Sequence, residues 1–258
     1  MTEREYQNFW KLKDLAVFLR PRDSIGAGLI VATSQISKNS VIMQRTGGHG
    51  PKKVPLFEEL MYLFRSLHMN QVSLAYSANA STLKADNPPR PMILANPQDL
   101  TWEEAVTIAK LIRRGAPCVA FSQKPLPSPL KEQFTANPSS CLWIRQEPAS
   151  LNTLESMKEL APRIINTLRQ PVRFPDGCAG YGFTSGSQQF LVVEDWLEQP
   201  RTVQLRLSSR QWSKAPRACN MNSHTPLTVV ADGKDWLVEL PLTPGNGVLI
   251  CLEKGETR

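Results

Sequence analysis

The sequence predicts two domains of unlike class: an α/β domain with a doubly wound parallel sheet, then a small all-β sandwich. Three observations lead there. Through residues 26–169, apolar runs of strand length alternate with amphipathic stretches of helical period. Near Gln170 the helical period stops, and short strands separated by turn signals follow one another. The 258 residues, 41% hydrophobic and 21% charged, suffice for one large or two small domains with buried cores. The same composition excludes disordered, collagen-like and coiled-coil chains.

Residues 1–20 read as a short amphipathic helix carrying Tyr6, Phe9, Trp10 and Leu12. Gly26 to Thr33 is apolar throughout, which suits a strand covered on both faces. A polar, Gly-rich loop spans Lys38 to Lys53, and Val54 to Leu67 then has helical spacing with Leu56, Leu60, Leu63 and Phe64 on one stripe. Gln71–Tyr76 and Pro91–Ala95 are the next strands. Thr101 and Glu104 form a capping box for a helix that Gly115 stops. Its apolar face is Trp102, Ala105, Val106, Ile108, Ala109 and Ile112, and Arg113 and Arg114 complement its C-terminal dipole. Pro117–Phe121, a helix around Leu130–Phe134 and the strand Cys141–Ile144 follow. The last helical stretch is Leu151–Leu168, which Pro162 either kinks or restarts.

Beyond the boundary near 169–172, the strands are Phe190–Val193, Thr202–Leu207, Leu227–Val230, Trp236–Leu240 and Val248–Leu252. Asp232-Gly233 and Pro244–Gly247 mark turns between them. Val203, Leu205 and Leu207 share one face, while Gln204 and Arg206 take the other.

Charge and cysteine usage narrow the partners. The net +7 lies in the first 170 residues, where 21 basic residues face 14 acidic ones. The longest basic runs are pairs, Lys52-Lys53 and Arg113-Arg114, so no stripe for nucleic acid exists and that partner is not expected. Five cysteines without C-x-x-C spacing read as buried free thiols in a reducing compartment. With three scattered histidines and no H-E-x-x-H, no metal site and no cofactor are expected. No stretch approaches the ~20 apolar residues of a membrane span. The charged first residues lack an apolar core, so the expectation is a cytoplasmic protein with no membrane partner.

The order of pieces resembles the C-terminal part of glycoside hydrolases related to the β-galactosidases. The residues that carry it are Tyr6–Leu12, Gly28–Ser34, Leu60–Leu67, Met92–Asn96, the Thr101 helix, Gly115–Ala120, Val192–Trp196, Arg201–Leu207 and Leu240–Pro244. The resemblance implies a flavodoxin-like, class I amidotransferase-like domain at 26–169 and a β-sandwich at 170–258. Residues 1–25 would be a helical segment left from a preceding barrel. In that family a catalytic (β/α)8 barrel comes first, and the amidotransferase-like domain contributes to trimerisation. Such a barrel needs ~250 residues, which this chain does not offer ahead of Gly26. The resemblance therefore implies a non-catalytic accessory or assembly region of a glycoside-hydrolase-like protein, with a catalytic barrel as partner in cis or trans. A homo-oligomer and a carbohydrate stay open as further partners. The rival readings are a stand-alone hydrolase or a carbohydrate-binding protein, and a nucleic-acid module resting on charge alone.

No complete catalytic constellation is legible, and no catalytic residue is assigned. Active amidotransferase-like domains carry G-x-C-x-G with a His downstream. Cys118 lacks the glycines, and no His lies between His68 and His224. Glycosidic hydrolysis needs two carboxylates across a cleft. Glu194 and Asp195 alternate across a strand, Glu103 and Glu104 serve a helix start, and Glu58 and Glu59 read as a solvated face. Thr46–Gly50 lacks phosphate-loop spacing and reads as a flexible loop. The sequon Asn79-Ala-Ser81 carries no further signal. Trp102 and Trp236 read as core, and Trp196 and Trp212 lie near turns. Doubly wound sheets bind ligands at the carboxyl ends of their strands, where Ser34, Gln35, His49, Asn96 and Ser122 would line a pocket.

Overall fold

The computed structural model describes residues 24–34, 55–146, 154–185, 187–195, 197, 199–243 and 247–253. The helix expected over 1–20, the loop from Lys38 to Lys53 and Trp196 lie outside them. The chain divides into two compact units, Gly26–Gln170 and Met1–Ile25 with Pro171–Arg258. Strand β1 (Ser24–Ile25), counted with the N-terminal helical segment in the sequence reading, pairs antiparallel with a strand of the second unit.

The unit Gly26–Gln170 is a five-stranded parallel sheet between two layers of helices. In chain order its elements are β2 (Ala27–Val31), α1 (Pro55–Met69), β3 (Leu74–Asn79), β4 (Met92–Ala95) and α2 (Trp102–Arg113). They continue with β5 (Cys118–Phe121), α3 (Ser128–Ala136), β6 (Cys141–Ile144), α4 (Leu154–Lys158) and α5 (Ala161–Thr167). The strands lie in the order β3-β2-β4-β5-β6. Successive side chains of a strand point to opposite faces, and here both faces are covered. Leu29, Ile93, Val119 and Phe121 pack with Leu63, Leu67, Met157 and Ile164 on one side. Ile30, Leu94, Cys118 and Ala120 pack with Ala105, Ile108, Ile112 and Leu130 on the other. Unbroken apolar runs with no alternation are the consequence.

Helix α2 starts as its capping box requires. The Thr101 hydroxyl accepts from Glu104 N at 3.2 Å, and Glu104 Oε2 accepts from Thr101 N at 2.9 Å. Gly115 follows the helix at φ +100°, a conformation that costs glycine little. Pro162 restarts the last helical stretch: it sits in the first turn of α5, where its missing N–H is no loss.

Two expected core residues are exposed. Trp102 is 64% exposed, and Phe64 is also outside the core. The buried stripe of α2 is Ala105, Ile108, Ala109, Leu111 and Ile112. At about 100° per residue, Trp102 and Val106 fall on the flank of that stripe, in one i, i+4 row with Lys110. In α1 the stripe runs through Leu63 and Leu67, and Phe64 stacks on His68 at 5.7 Å between ring centres.

The second unit has two antiparallel sheets over one core. One has six strands, β1, β8 (Cys178–Ser185), β9 (Gln188–Asp195), β15 (Val248–Glu253), β11 (Arg217–Asn220) and β12 (Thr225–Leu227), in that spatial order. The other orders β13 (Val229–Asp232), β14 (Asp235–Leu242), β10 (Arg201–Leu207) and β7 (Val172–Arg173). Val203, Leu205, Leu207, Val238 and Leu240 from the smaller sheet pack with Leu191, Val193, Ile250 and Leu252 from the larger. Trp212 is buried in this core, and its carbonyl accepts from Trp236 Nε1 at 2.8 Å. Strand β8 has a close approach that only glycine permits. A Cβ on Gly180 would stand 2.1 Å from Val192 O and 2.6 Å from the Phe174 ring.

Candidate functional site

The carboxyl ends of β2, β4 and β5 bring Ser34, Asn96 and Ser122 to one edge of the parallel sheet. Gln35 and His49 lie outside the described residues. The three are linked through the short turn Pro97–Asp99 that follows β4. Asn96 enters that turn at φ +54°, a left-handed conformation asparagine tolerates better than most residues, and it is buried. Ser34 Oγ donates to Asp99 O at 2.5 Å, and Ser122 Oγ donates to Gln98 Oε1 at 2.8 Å. Ser122 also organises the loop after β5: its Oγ accepts from Lys124 N at 3.1 Å, and its carbonyl accepts from Trp143 Nε1 at 2.9 Å.

Beside this turn lies a second polar group that the sequence reading did not single out. The Thr33 hydroxyl sits between Asn79 Oδ1 at the end of β3 and Glu104 Oε1 at the start of α2. Carrying one proton, it donates to one of them at a time. Glu104 Oε1 also accepts from Thr33 N at 3.3 Å, and Asn79 Oδ1 from Ser81 N at 3.2 Å. Thr33, Ser34, Asn79, Glu104 and Ser122 at this edge thus all bond to groups of the protein itself.

Other candidate groups have their own settings. Cys118 opens β5 and is fully buried, and burial followed by the neighbouring Cys141 pushes its thiol well up. A thiol so desolvated is a poor nucleophile. Glu103 is exposed beside the buried Glu104. Asp195 is buried against Arg201, whereas Glu194 faces the other side of β9. Among the described residues, no three His, Cys, Asp or Glu side chains are grouped to hold a metal ion. No helix of the described residues is long and apolar enough to cross a membrane.

A groove of about 360 Å³ runs between α2 and α3, lined by Trp102, Val106, Ala109, Arg113, Pro129 and Glu132, with Lys110 at its rim. It combines an exposed indole, an apolar floor and charged groups of both signs. Ser34, Asn96 and Ser122 do not line it.

The chain is thus an α/β unit with a parallel sheet and an antiparallel β unit, and solved proteins are similar to it in fold. The α-L-fucosidase isoenzyme 2 from Paenibacillus thiaminolyticus superposes on 90% of the chain with a TM-score of 0.55 at 10% identity. The β-galactosidase from Bacillus circulans sp. alkalophilus superposes on 88% with a TM-score of 0.52 at 8% identity. The chain spans 49% and 41% of those two chains, less than half of either. At such identities the likeness is one of fold, and these neighbours are glycoside hydrolases. No protein-family model and no curated protein matches the sequence.

Proposed function

We propose that this chain is a non-catalytic accessory or assembly region of a glycoside-hydrolase-like protein, working with a catalytic (β/α)8 barrel in cis or trans. The observation that carries this reading is the carboxyl edge of the parallel sheet, where the Thr33, Ser34 and Ser122 hydroxyls and the Glu104 carboxylate are engaged by groups of the protein itself. Ligand sites of doubly wound sheets usually form at that edge. The strand order β3-β2-β4-β5-β6 supports the finer, flavodoxin-like assignment as well, because its first strand stands second from the edge, as such a winding requires. Ser34 and Ser122 are then framework for the edge, a ligand there would have to displace their hydroxyl bonds, and Asn96 shapes the turn through its left-handed backbone. Free cysteines suit a reducing, cytoplasmic setting. The purified chain is expected to show no turnover of nitrophenyl galactosides, fucosides or acetate esters at micromolar protein. Turnover that survives repurification would overturn the proposal in favour of a stand-alone hydrolase.

A carbohydrate-binding role is the second reading, favoured by Trp102 beside its groove. Aromatic faces stack on the apolar faces of sugar rings, and Lys110, Arg113 and Glu132 supply donors and acceptors for hydroxyls. On this reading, galactose or fucose oligosaccharides produce a saturable change in tryptophan fluorescence that Trp102→Ala removes. The same change in both proteins, or none in either, discards it.

A further inference from the structure

Four of the five cysteines stand in pairs on neighbouring strands. Cys118 of β5 is in register with Cys141 of β6, and Cys219 of β11 with Cys251 of β15. All five thiols are free. The two pairs differ in their surroundings. Cys118 and Cys141 belong to the core beneath α2 and α3, at 0% and 7% exposure. Cys219 and Cys251 lie on the far face of the six-stranded sheet, because their neighbours Ala218, Ile250 and Leu252 point into the core and side chains alternate. There Cys219 is half-buried with its Sγ 3.7 Å from Asn220 O, while Cys251 is 5% exposed.

The ladder sets the distance between them. Met221 N donates to Leu249 O at 2.8 Å, one hydrogen-bonded position beyond the cysteines. Hydrogen-bonded and non-hydrogen-bonded positions alternate, so Cys219 and Cys251 again form a hydrogen-bonded pair, with Cα atoms about 5.5 Å apart. That is inside the disulfide range of about 4.4–6.8 Å. Directly opposite Cβ atoms stand about 4.5–5.5 Å apart, against about 3.8 Å in a relaxed disulfide. Closing the bond draws the strands together, and a strained bond of this kind is readily reduced again.

We propose that Cys219 and Cys251 form a reversible thiol-modification site that takes a small-molecule disulfide such as oxidised glutathione. Cys219, the accessible member, loses its proton and its thiolate attacks one sulfur of the oxidant. A Cys219–glutathione mixed disulfide forms, and the first glutathione thiolate leaves and takes up a proton. Cys251 then loses its proton and attacks the Cys219 sulfur, closing the cross-strand bond and expelling the second glutathione. Two protein thiols are oxidised by two electrons, and one external disulfide becomes two thiols that carry both protons. Burial, then Glu253 and Cys219, push the Cys251 thiol up, which suits the resolving rather than the attacking role. The buried Cys118–Cys141 pair is the internal control, since no oxidant reaches it in the folded chain.

The reduced full chain is incubated with oxidised glutathione, alkylated and digested with trypsin without reduction. The expected product joins residues 218–234 to 235–254, two of the five thiols disappear, and dithiothreitol restores both. Cys251→Ser is expected to accumulate glutathione on Cys219, and Cys219→Ser to keep its four thiols. Circular dichroism checks that both variants stay folded, and the cross-link map of the unaltered chain stands without them. A persistent Cys219–glutathione adduct in the unaltered chain would overturn the proposal. So would oxidation of Cys118 and Cys141 at the same rate, or thiol loss in folded Cys219→Ser.

Discussion

Replacing Asp195 with alanine is expected to cost about 3 kcal/mol of stability, near the lower end of the usual range for breaking a buried ion pair. Asp195 ends β9 with a side chain that is 0% exposed, and Arg201 opens β10 at 24%. Arg201 Nη2 reaches Asp195 Oδ1 at 2.8 Å, Asp176 O at 2.9 Å and Cys178 Sγ at 3.2 Å. The pair therefore ties the six-stranded sheet to the four-stranded one. Removing the carboxylate leaves a guanidinium three-quarters out of water without its counter-charge, and removes the acceptor of Leu197 N. Partial exposure of Arg201 is what keeps the cost near 3 kcal/mol and not 5. The pair is also imperfect: Asp195 Oδ2 and Arg201 Nε are buried without hydrogen-bond partners among the described residues. Exchanging both residues for apolar ones, Asp195→Leu with Arg201→Met, is consequently expected to return stability to within about 1 kcal/mol of the parent. Urea unfolding of the single and double variants checks this. An alanine variant within about 1 kcal/mol of the parent would deny the pair its role.

What could be read in advance depended on whether local chemistry and global packing asked for the same residues. The α/β unit was legible because its strands are buried on both faces, so Leu29-Ile30, Ile93-Leu94 and Val119-Ala120 each feed one side chain to each layer. The start of α2 was legible because Thr101 and Glu104 satisfy each other's backbone groups three residues apart. Strand β8 escaped notice because Gly180 and Gly182 are poor strand formers, present for close approaches that no local pattern announces. Strands β7 and β11, of two and four residues, are too short to show a period. Trp102 was misjudged because an aromatic at the first position of an apolar stretch is indistinguishable from core until the rotation of the helix is known. At the carboxyl edge, the topology placed Ser34, Asn96 and Ser122 at the ends of β2, β4 and β5. It could not show that Glu104, assigned to a helix cap, also reaches Thr33 across 71 residues of chain.

That double use makes Glu104 the second sensitive position. It is 5% exposed, and its two carboxylate oxygens serve Thr101 N, Thr33 N and the Thr33 hydroxyl. Glu104→Ala removes the reciprocal half of the capping box, worth about 0.5–2 kcal/mol, and strands partly buried donors at about 1–3 kcal/mol. The expected loss is about 2–4 kcal/mol. Glu104→Gln keeps one acceptor oxygen and is expected to fall between, at about 1 kcal/mol. The order parent, Gln, Ala in urea unfolding is the signature of a carboxylate held for structure. It also bears on function, because both oxygens of this buried carboxylate already accept bonds from Thr33 and Thr101, which suits a structural role better than a catalytic one. If Glu104→Ala unfolds at the parent's urea concentration, the carboxylate is not structural, and the assignment of this edge as framework fails with it.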